Sequence, residues 1–309
     1  AAEVKAVKRI TWGKWGRFMS PGIIGLIGWL LVAGADVAQA QFRWRTNNLT
    51  ITITGYTGTN GNVTVPDTIN DLPVVSIGDN AFQYGYVLTN VIISSGVSYL
   101  GNSAFYNCTN LVGVTLPDTL GYIGFHAFDG CKSLTSVAIP WGVSVITNYT
   151  FYHCASLTNV TIPPSVFTIS DYAFYNCSAL PAVTIPDSVG SIGKDSFADC
   201  VSLSELTLGA GVSTIGDHAF DNCRALRSLA LPPGLQSLGQ HAFDSCVLLP
   251  TVTIPAALSS LGLGAFDSCA SLTNIETDPQ CAYFGSVDGV LFDSNHTTLA
   301  LFPAGRGPS

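Results

Sequence analysis

The chain has 309 residues, only 10% of them charged, with a formal net charge of −8. Five of its twelve basic residues (Lys5, Lys8, Arg9, Lys14, Arg17) fall in the first seventeen positions, so the chain past residue 40 sets seven basic side chains against eighteen acidic ones, a balance of −11. An acidic body without a basic stripe argues against a nucleic-acid partner and against docking on an anionic membrane surface, while abundant Gly, Thr, Ser, Asn and Pro favour turns and strands over long helices.

Residues 1–40 read as an export signal. The basic stretch precedes an apolar run from Ile23 to Ala33, and Ala38-Gln39-Ala40 has the small-x-small pattern of a cleavage site. The run is shorter than the ~20 residues needed to span a bilayer, which disfavours an anchor. The mature chain is therefore expected to start near Gln41, without a membrane span, secreted or at the cell surface. Residues 41–80 are expected to form an N-terminal cap: a β-hairpin with an alternating strand at Leu49-Thr-Ile-Thr-Ile-Thr54, then an atypical first coil in which Pro66 and Ile77 stand eleven positions apart.

From there the chain repeats. Phenylalanine occurs at 82, 105, 128, 151, 174, 197, 220, 243 and 266, always 23 residues apart. Three residues after each Phe stands Cys (108, 131, 154, 177, 200, 223, 246, 269), except in the first unit, which has Gly85. Six after Phe the residue is always Leu; nine and eleven after it are mostly aliphatic, and Pro usually follows, as in Val137, Ile139 and Pro140. Leu-x-x-Val-x-Ile alternates at its end and predicts a short strand with one buried face, which Pro stops because it has no N–H for a ladder. A Val-x-x-Ile-Gly stretch returns along the opposite side. Ala-Phe-x-x-Cys has the spacing of a single helical turn that buries Phe and Cys together. One such coil cannot bury its apolar side alone, whereas stacked coils can. The expected fold class is thus a repeat solenoid: nine 23-residue units over 81–276, β-rich with little helix, a short-stranded parallel β-sheet on one face and turns or single helical turns on the other. Nine rungs span on the order of 40 Å.

The unit running from Leu134 to Ile146, with the Ala173–Cys177 turn, resembles the BspA-like leucine-rich repeats of bacterial and protist surface proteins. The resemblance covers roughly 63–303 and implies a right-handed leucine-rich-repeat coil in a surface or adhesive setting, without implying a ligand. Residues 277–309 are expected to hold a C-terminal capping hairpin, with Asp288-Gly-Val-Leu-Phe292 and Thr298–Phe302 as its strands, and a linker-like tail from Ala304.

Candidate chemistry is sparse. Stacked cysteines keep their Cβ atoms about one strand spacing apart, beyond the ~3.8 Å of a disulfide, and no Cys-x-x-Cys pair suggests zinc; core packing is the expectation. Three histidines (126, 218, 241) share the position two before Phe, a variable slot that reads as surface. No nucleophile elbow or phosphate loop accompanies them, and Ser191-Ile-Gly-Lys194 crosses an ordinary turn. No catalytic residue, metal ligand or cofactor is expected. At the turn positions, early units place Tyr84, Tyr106, Tyr149, Tyr152, Tyr172 and Tyr175, and later ones Asp195, Asp199, Asp217, Asp221, Asp244 and Asp267. Exposed tyrosines suit contact with a protein or glycan, and clustered carboxylates suit weak calcium binding. The expected function is a non-enzymatic extracellular or cell-surface binding or adhesion module. The alternative is a structural spacer or scaffold repeat within a larger envelope or secreted protein.

Overall fold

A strand of three residues is too short to hold its shape alone, so each coil depends on hydrogen bonds to the coils above and below. The computed structural model describes residues 40–306; the export signal expected over 1–40 lies, but for Ala40, outside them. The repeats form a β-solenoid of about 10 turns. Strands Asn90–Ile92, Gly113–Thr115, Ser136–Ala138 and Asn159–Thr161 pair in parallel, each residue opposite the one 23 positions on, as in Val137 with Val160. The same ladder resumes at Ala182–Thr184 with Glu205–Thr207, and at Thr251–Ile254 with Asn274–Thr277. After each Pro the chain turns, the Pro carbonyl accepting the N–H three residues on (Val143 to Pro140, 3.0 Å; Val166 to Pro163, 3.1 Å). A second parallel ladder of two-residue strands then returns along the far side, from Val145–Ile146 through Ser260–Leu261.

The expected single turn at Ala-Phe-x-x-Cys is present as overlapping hydrogen-bonded turns rather than helix. Among the described residues the only helix is the 3-10 segment Ala304–Arg306. The reason lies in two backbone positions per unit, two before and two after Phe, which hold positive φ throughout: Asn80 and Tyr84, Ser103 and Asn107, His126 and Gly130, Tyr149 and His153, and so on to Gly264 and Ser268, all between 52° and 73°. A left-handed residue ends a helical turn. It also swings alternate N–H groups toward the next coil, where each Phe N–H from 82 to 243 meets the carbonyl of the residue preceding the next Phe at 2.7–2.9 Å. The turn side is thus a third ladder.

Between the three ladders the repeated apolar side chains run as continuous files. The nine Phe rings are at most 2% exposed and stack on one another, neighbouring centroids 4.8–5.6 Å apart and planes within 13° of parallel. The eight repeat cysteines are fully buried, as core packing requires, and none is in a disulfide. Each thiol donates to the carbonyl of the Phe one coil earlier, from Cys108 on Phe82 (3.0 Å) to Cys269 on Phe243 (3.2 Å). Burial pushes the six thiols from Cys108 to Cys223 up, to about 12 for Cys108 and Cys200, so these stay protonated donors.

At the N-terminal end, Phe42–Asn47 and Thr50–Tyr56 form an antiparallel hairpin whose inner strand pairs with Leu72–Ile77. Asn62–Thr64 joins the repeat ladder beside Asn90–Ile92, and the extra residues of the first coil are taken up by Thr68–Ile69 folding back on Leu72–Ile77. Phe42 and Tyr56 close the Phe file, 6.4 and 5.9 Å from Phe82. At the other end Phe284–Val287, Val290–Asp293 and Leu299–Leu301 form a three-stranded antiparallel sheet, one strand more than the hairpin expected. The tail from Ala304 is not a free linker over its described part: Gly305 N–H bonds Leu272 (2.9 Å) and Arg306 reaches the Asp288 carbonyl. A Cβ at Gly305 would stand 2.7 Å from two carbonyl oxygens, so only glycine permits that approach. No helix among the described residues is long and apolar enough to cross a membrane.

Candidate functional site

The turn ladder presents side chains from two before Phe and from one after it, three residues apart and therefore side by side. With like positions stacked one coil apart, these slots form two adjacent columns on the surface. In the fourth and fifth units both slots hold tyrosine. Tyr149 stacks on Tyr172 (4.8 Å, 3°) and Tyr152 on Tyr175 (4.9 Å, 16°), while Tyr149 meets Tyr152 edge to face (5.4 Å, 66°). His126 extends the first column by stacking on Tyr149 (4.5 Å, 7°) and touches Tyr106 edge to face (6.5 Å). Tyr106 in turn meets Tyr84 at 5.6 Å.

All six tyrosines singled out from the sequence therefore lie on one ridge of ring contacts, with His126 as the link. His153 joins it, tilted on Tyr152 at 3.9 Å, and Tyr86 meets Tyr84 at 6.1 Å. Neither histidine nor Tyr86 was picked out from the sequence as part of this surface. His126 shares the Tyr149 column and was legible by register; Tyr86 lies outside the repeat columns and carried no such signal. Three ridge tyrosines, Tyr84, Tyr149 and Tyr172, hold left-handed backbone (φ 57–59°), a geometry that bulky side chains rarely adopt. Elsewhere the positions two before and two after Phe carry Asn, Asp, Ser, His or Gly, the residues that tolerate it.

The BspA-type leucine-rich-repeat region model matches residues 75–204 and 190–287, in six copies. The chain belongs to this family. Among solved structures it resembles the leucine-rich-repeat protein TpLRR of T. pallidum, at 35% identity over 60% of this chain and 88% of that one (TM-score 0.58). A leucine-rich cell-surface protein of Faecalibacterium prausnitzii matches at 28% identity over 76% of this chain and 86% of that one, with a TM-score of 0.40. No curated protein matches the chain. BspA-type repeats are a family of bacterial surface proteins, and such repeats are generally non-catalytic interaction scaffolds.

Within this BspA-type array, the acidic half beyond the ridge is largely committed to its own neighbours. Asp221 Oδ2 lies 3.2 Å from His218 Nδ1, as Asp129 Oδ2 lies 2.8 Å from His126 Nδ1 in the aromatic half. Asp244 Oδ2 is 3.3 Å from His241 Nδ1 but off the hydrogen-bond direction, leaving that buried nitrogen unbonded. Asp199 accepts from the Asn222 amide (2.6 Å), and Asp195 sits 3.9 Å from Lys194. Asp217 stands three before Phe220, one column away from the others, where its Oδ1 accepts the Gln240 N–H (2.7 Å). Among the described residues no three His, Cys, Asp or Glu side chains converge as metal ligands would. Where the two halves meet, carboxylates raise phenol pKa values: burial, then Asp195, pushes Tyr172 up to about 12, and a hydrogen bond to Asp199, then burial, raises Tyr175.

Proposed function

We propose that this chain is an exported, non-enzymatic binding module that engages a protein partner along its tyrosine ridge. The observation that carries the reading is the unbroken run of ring contacts from Tyr84 to Tyr175, built in part from tyrosines in left-handed backbone. Such a conformation costs on the order of 1 kcal/mol or more for a side chain of this kind, and core packing does not need these rings, which lie outside the Phe file. In the Tyr149–Tyr172 and Tyr152–Tyr175 stacks the ring faces cover one another, so a partner meets edges and hydroxyls. Those suit the polar backbone and side chains of a protein, whereas the C–H face of a sugar needs an open ring face. Pre-stacked rings also lose little rotamer freedom on binding. Export rests on the basic-apolar-small pattern of residues 1–40.

The reading is tested by changing Tyr106, Tyr152 and Tyr175 together to Ala and screening both chains against candidate surface and matrix proteins. A partner of the parent chain should be bound at least about tenfold more weakly by the variant; binding that survives unchanged removes the ridge from the account. Catalysis finds no support in the geometry: the repeat thiols are buried, and among the described residues no Ser, Thr or Cys side chain hydrogen-bonds a histidine, Ser245 bonding Asp244 instead (3.1 Å). A structural spacer or scaffold repeat within a larger envelope or secreted protein is the second reading. It is favoured by the strand face, where Ser136, Ala138, Asn159, Thr161, Ala182 and Thr184 make a small, uncharged surface.

A further inference from the structure

The first repeat differs from the rest in what lies on its N-terminal side. Later thiols donate to the Phe carbonyl of the preceding coil, but Phe82 has no preceding Phe, and Gly85 occupies the thiol position. A Cβ there would meet Leu88 Cδ1 at 2.7 Å and the Phe82 carbonyl oxygen at 2.9 Å, so the position is closed to a side chain unless they shift. The cap covers the Phe82 ring with Phe42 and Tyr56 and leaves the turn beyond it open. A cavity of about 300 Å³ lies there, between Tyr56–Gly58 and Ala81–Leu88. Tyr56, Gln83, Tyr84, Tyr86 and Val87 stand around it, above the buried Phe82 and Leu88.

We propose that this cavity binds one neutral pyranose ring, the terminal sugar of a glycan. It adjoins the end of the protein-binding ridge, with which it shares Tyr84, and both fit a surface module. The volume lies at the lower end of ligand-sized pockets, roughly 300–1,000 Å³, enough for one sugar ring and too small for an oligosaccharide. No lining residue is charged, so a carboxylated or phosphorylated ligand would be desolvated without a partner. Unlike the stacked pairs of the ridge, Tyr84 and Tyr86 leave ring face open: their planes are inclined at 43°, their centroids 6.1 Å apart, and they are 49% and 55% exposed. A pyranose offers an apolar C–H face to such rings and hydroxyls to their rim. The Tyr56 hydroxyl is already taken by Gln41 and Asn60, but among the described residues the Gln83 amide and the Tyr84 and Tyr86 hydroxyls make no hydrogen bond. They are free to serve a polyol.

Saturation-transfer NMR on the full chain tests this, with neutral methyl glycosides of glucose, galactose, mannose and N-acetylglucosamine, a sialic acid glycoside, and p-cresol as an aromatic side-chain probe. At least one neutral glycoside should bind saturably and more tightly than the acidic sugar or p-cresol. Tyr84→Ala with Tyr86→Ala should weaken it roughly tenfold or more, while Tyr152→Ala with Tyr175→Ala leaves it unchanged. Both substituted Tyr84 and Tyr86 rings are exposed, so circular dichroism should show the fold intact. The proposal is overturned if no neutral glycoside saturates, if binding survives the Tyr84/Tyr86 variant, or if p-cresol binds best, which would make the cavity a seat for a protein side chain. Failure of the ridge would appear instead as protein binding that ignores Tyr152 and Tyr175.

Discussion

Changing Phe174 to Leu tests whether the aromatic file works as a stack of neighbour contacts or merely as buried apolar volume. Phe174 is fully buried between Phe151 (5.2 Å, 13°) and Phe197 (5.0 Å, 11°). Leucine keeps most of the apolar area but forfeits two ring contacts, each worth about 0.5–1.5 kcal/mol, and leaves a small void costing about 1 kcal/mol. The expected loss is therefore about 2–4 kcal/mol. Phe266, the last ring, has one ring partner in the file, Phe243 at 5.6 Å, so Phe266→Leu should cost about 1 kcal/mol less. Urea unfolding followed by circular dichroism measures both changes. A double-mutant cycle then isolates the contact: Phe151 and Phe174 should couple by about 0.5–1.5 kcal/mol, while Phe128 and Phe174, two coils apart, should add to within about 0.5 kcal/mol. Equal coupling in the two cycles would refute the neighbour-by-neighbour account.

The left-handed turn positions give a second prediction. Gly130 has φ +73° and faces the Asn107 side chain, so Gly130→Ala should destabilise by about 1–2 kcal/mol in the same urea assay, and no loss would show that the turn relaxes freely. Buried, protonated thiols should be inert: at pH 8 iodoacetamide should label only the half-buried Cys281 in the native chain and all nine cysteines in urea, read by mass spectrometry, and native labelling of Cys177 or Cys200 would contradict the packing. Tyr172 and Tyr175 carry a pH signature. Because the Tyr172 pKa is raised from 10.0 to about 12 in the folded chain, its contribution to stability is intact below pH 10 and drains as pH rises from 10 towards 12. Absorbance titration should show Tyr172 and Tyr175 ionising late, and Asp199→Asn should bring the Tyr175 transition down; an unmoved curve would deny the hydrogen bond.

The balance between sequence and structure can be read at single positions. A strict 23-residue period dictates what lies above what, so Phe, Cys and Leu had to form internal files once coils stack, and Pro140 and its equivalents had to end the strands. The variety at two before Phe (Asn80, Ser103, His126, Tyr149, Asp195, Gly264) marked a surface slot, but its backbone sign was not legible, because tyrosine there hides the preference that Asn, Asp and Gly would reveal. The expected helical turn became a third hydrogen-bonded ladder for that same reason.

By itself, then, the order of residues determined the repeat architecture, the core files and the aromatic-then-acidic drift along one edge. Only the tertiary structure decided that His126 joins the tyrosines into one ridge, that most of the later carboxylates are spent on their neighbours, and that a cavity opens beside Gly85. A period specifies which side chains share a column, but ring orientation, hydrogen-bond partners and empty volume depend on what the adjoining coil places there, and at the ends of the array the adjoining element is not a repeat.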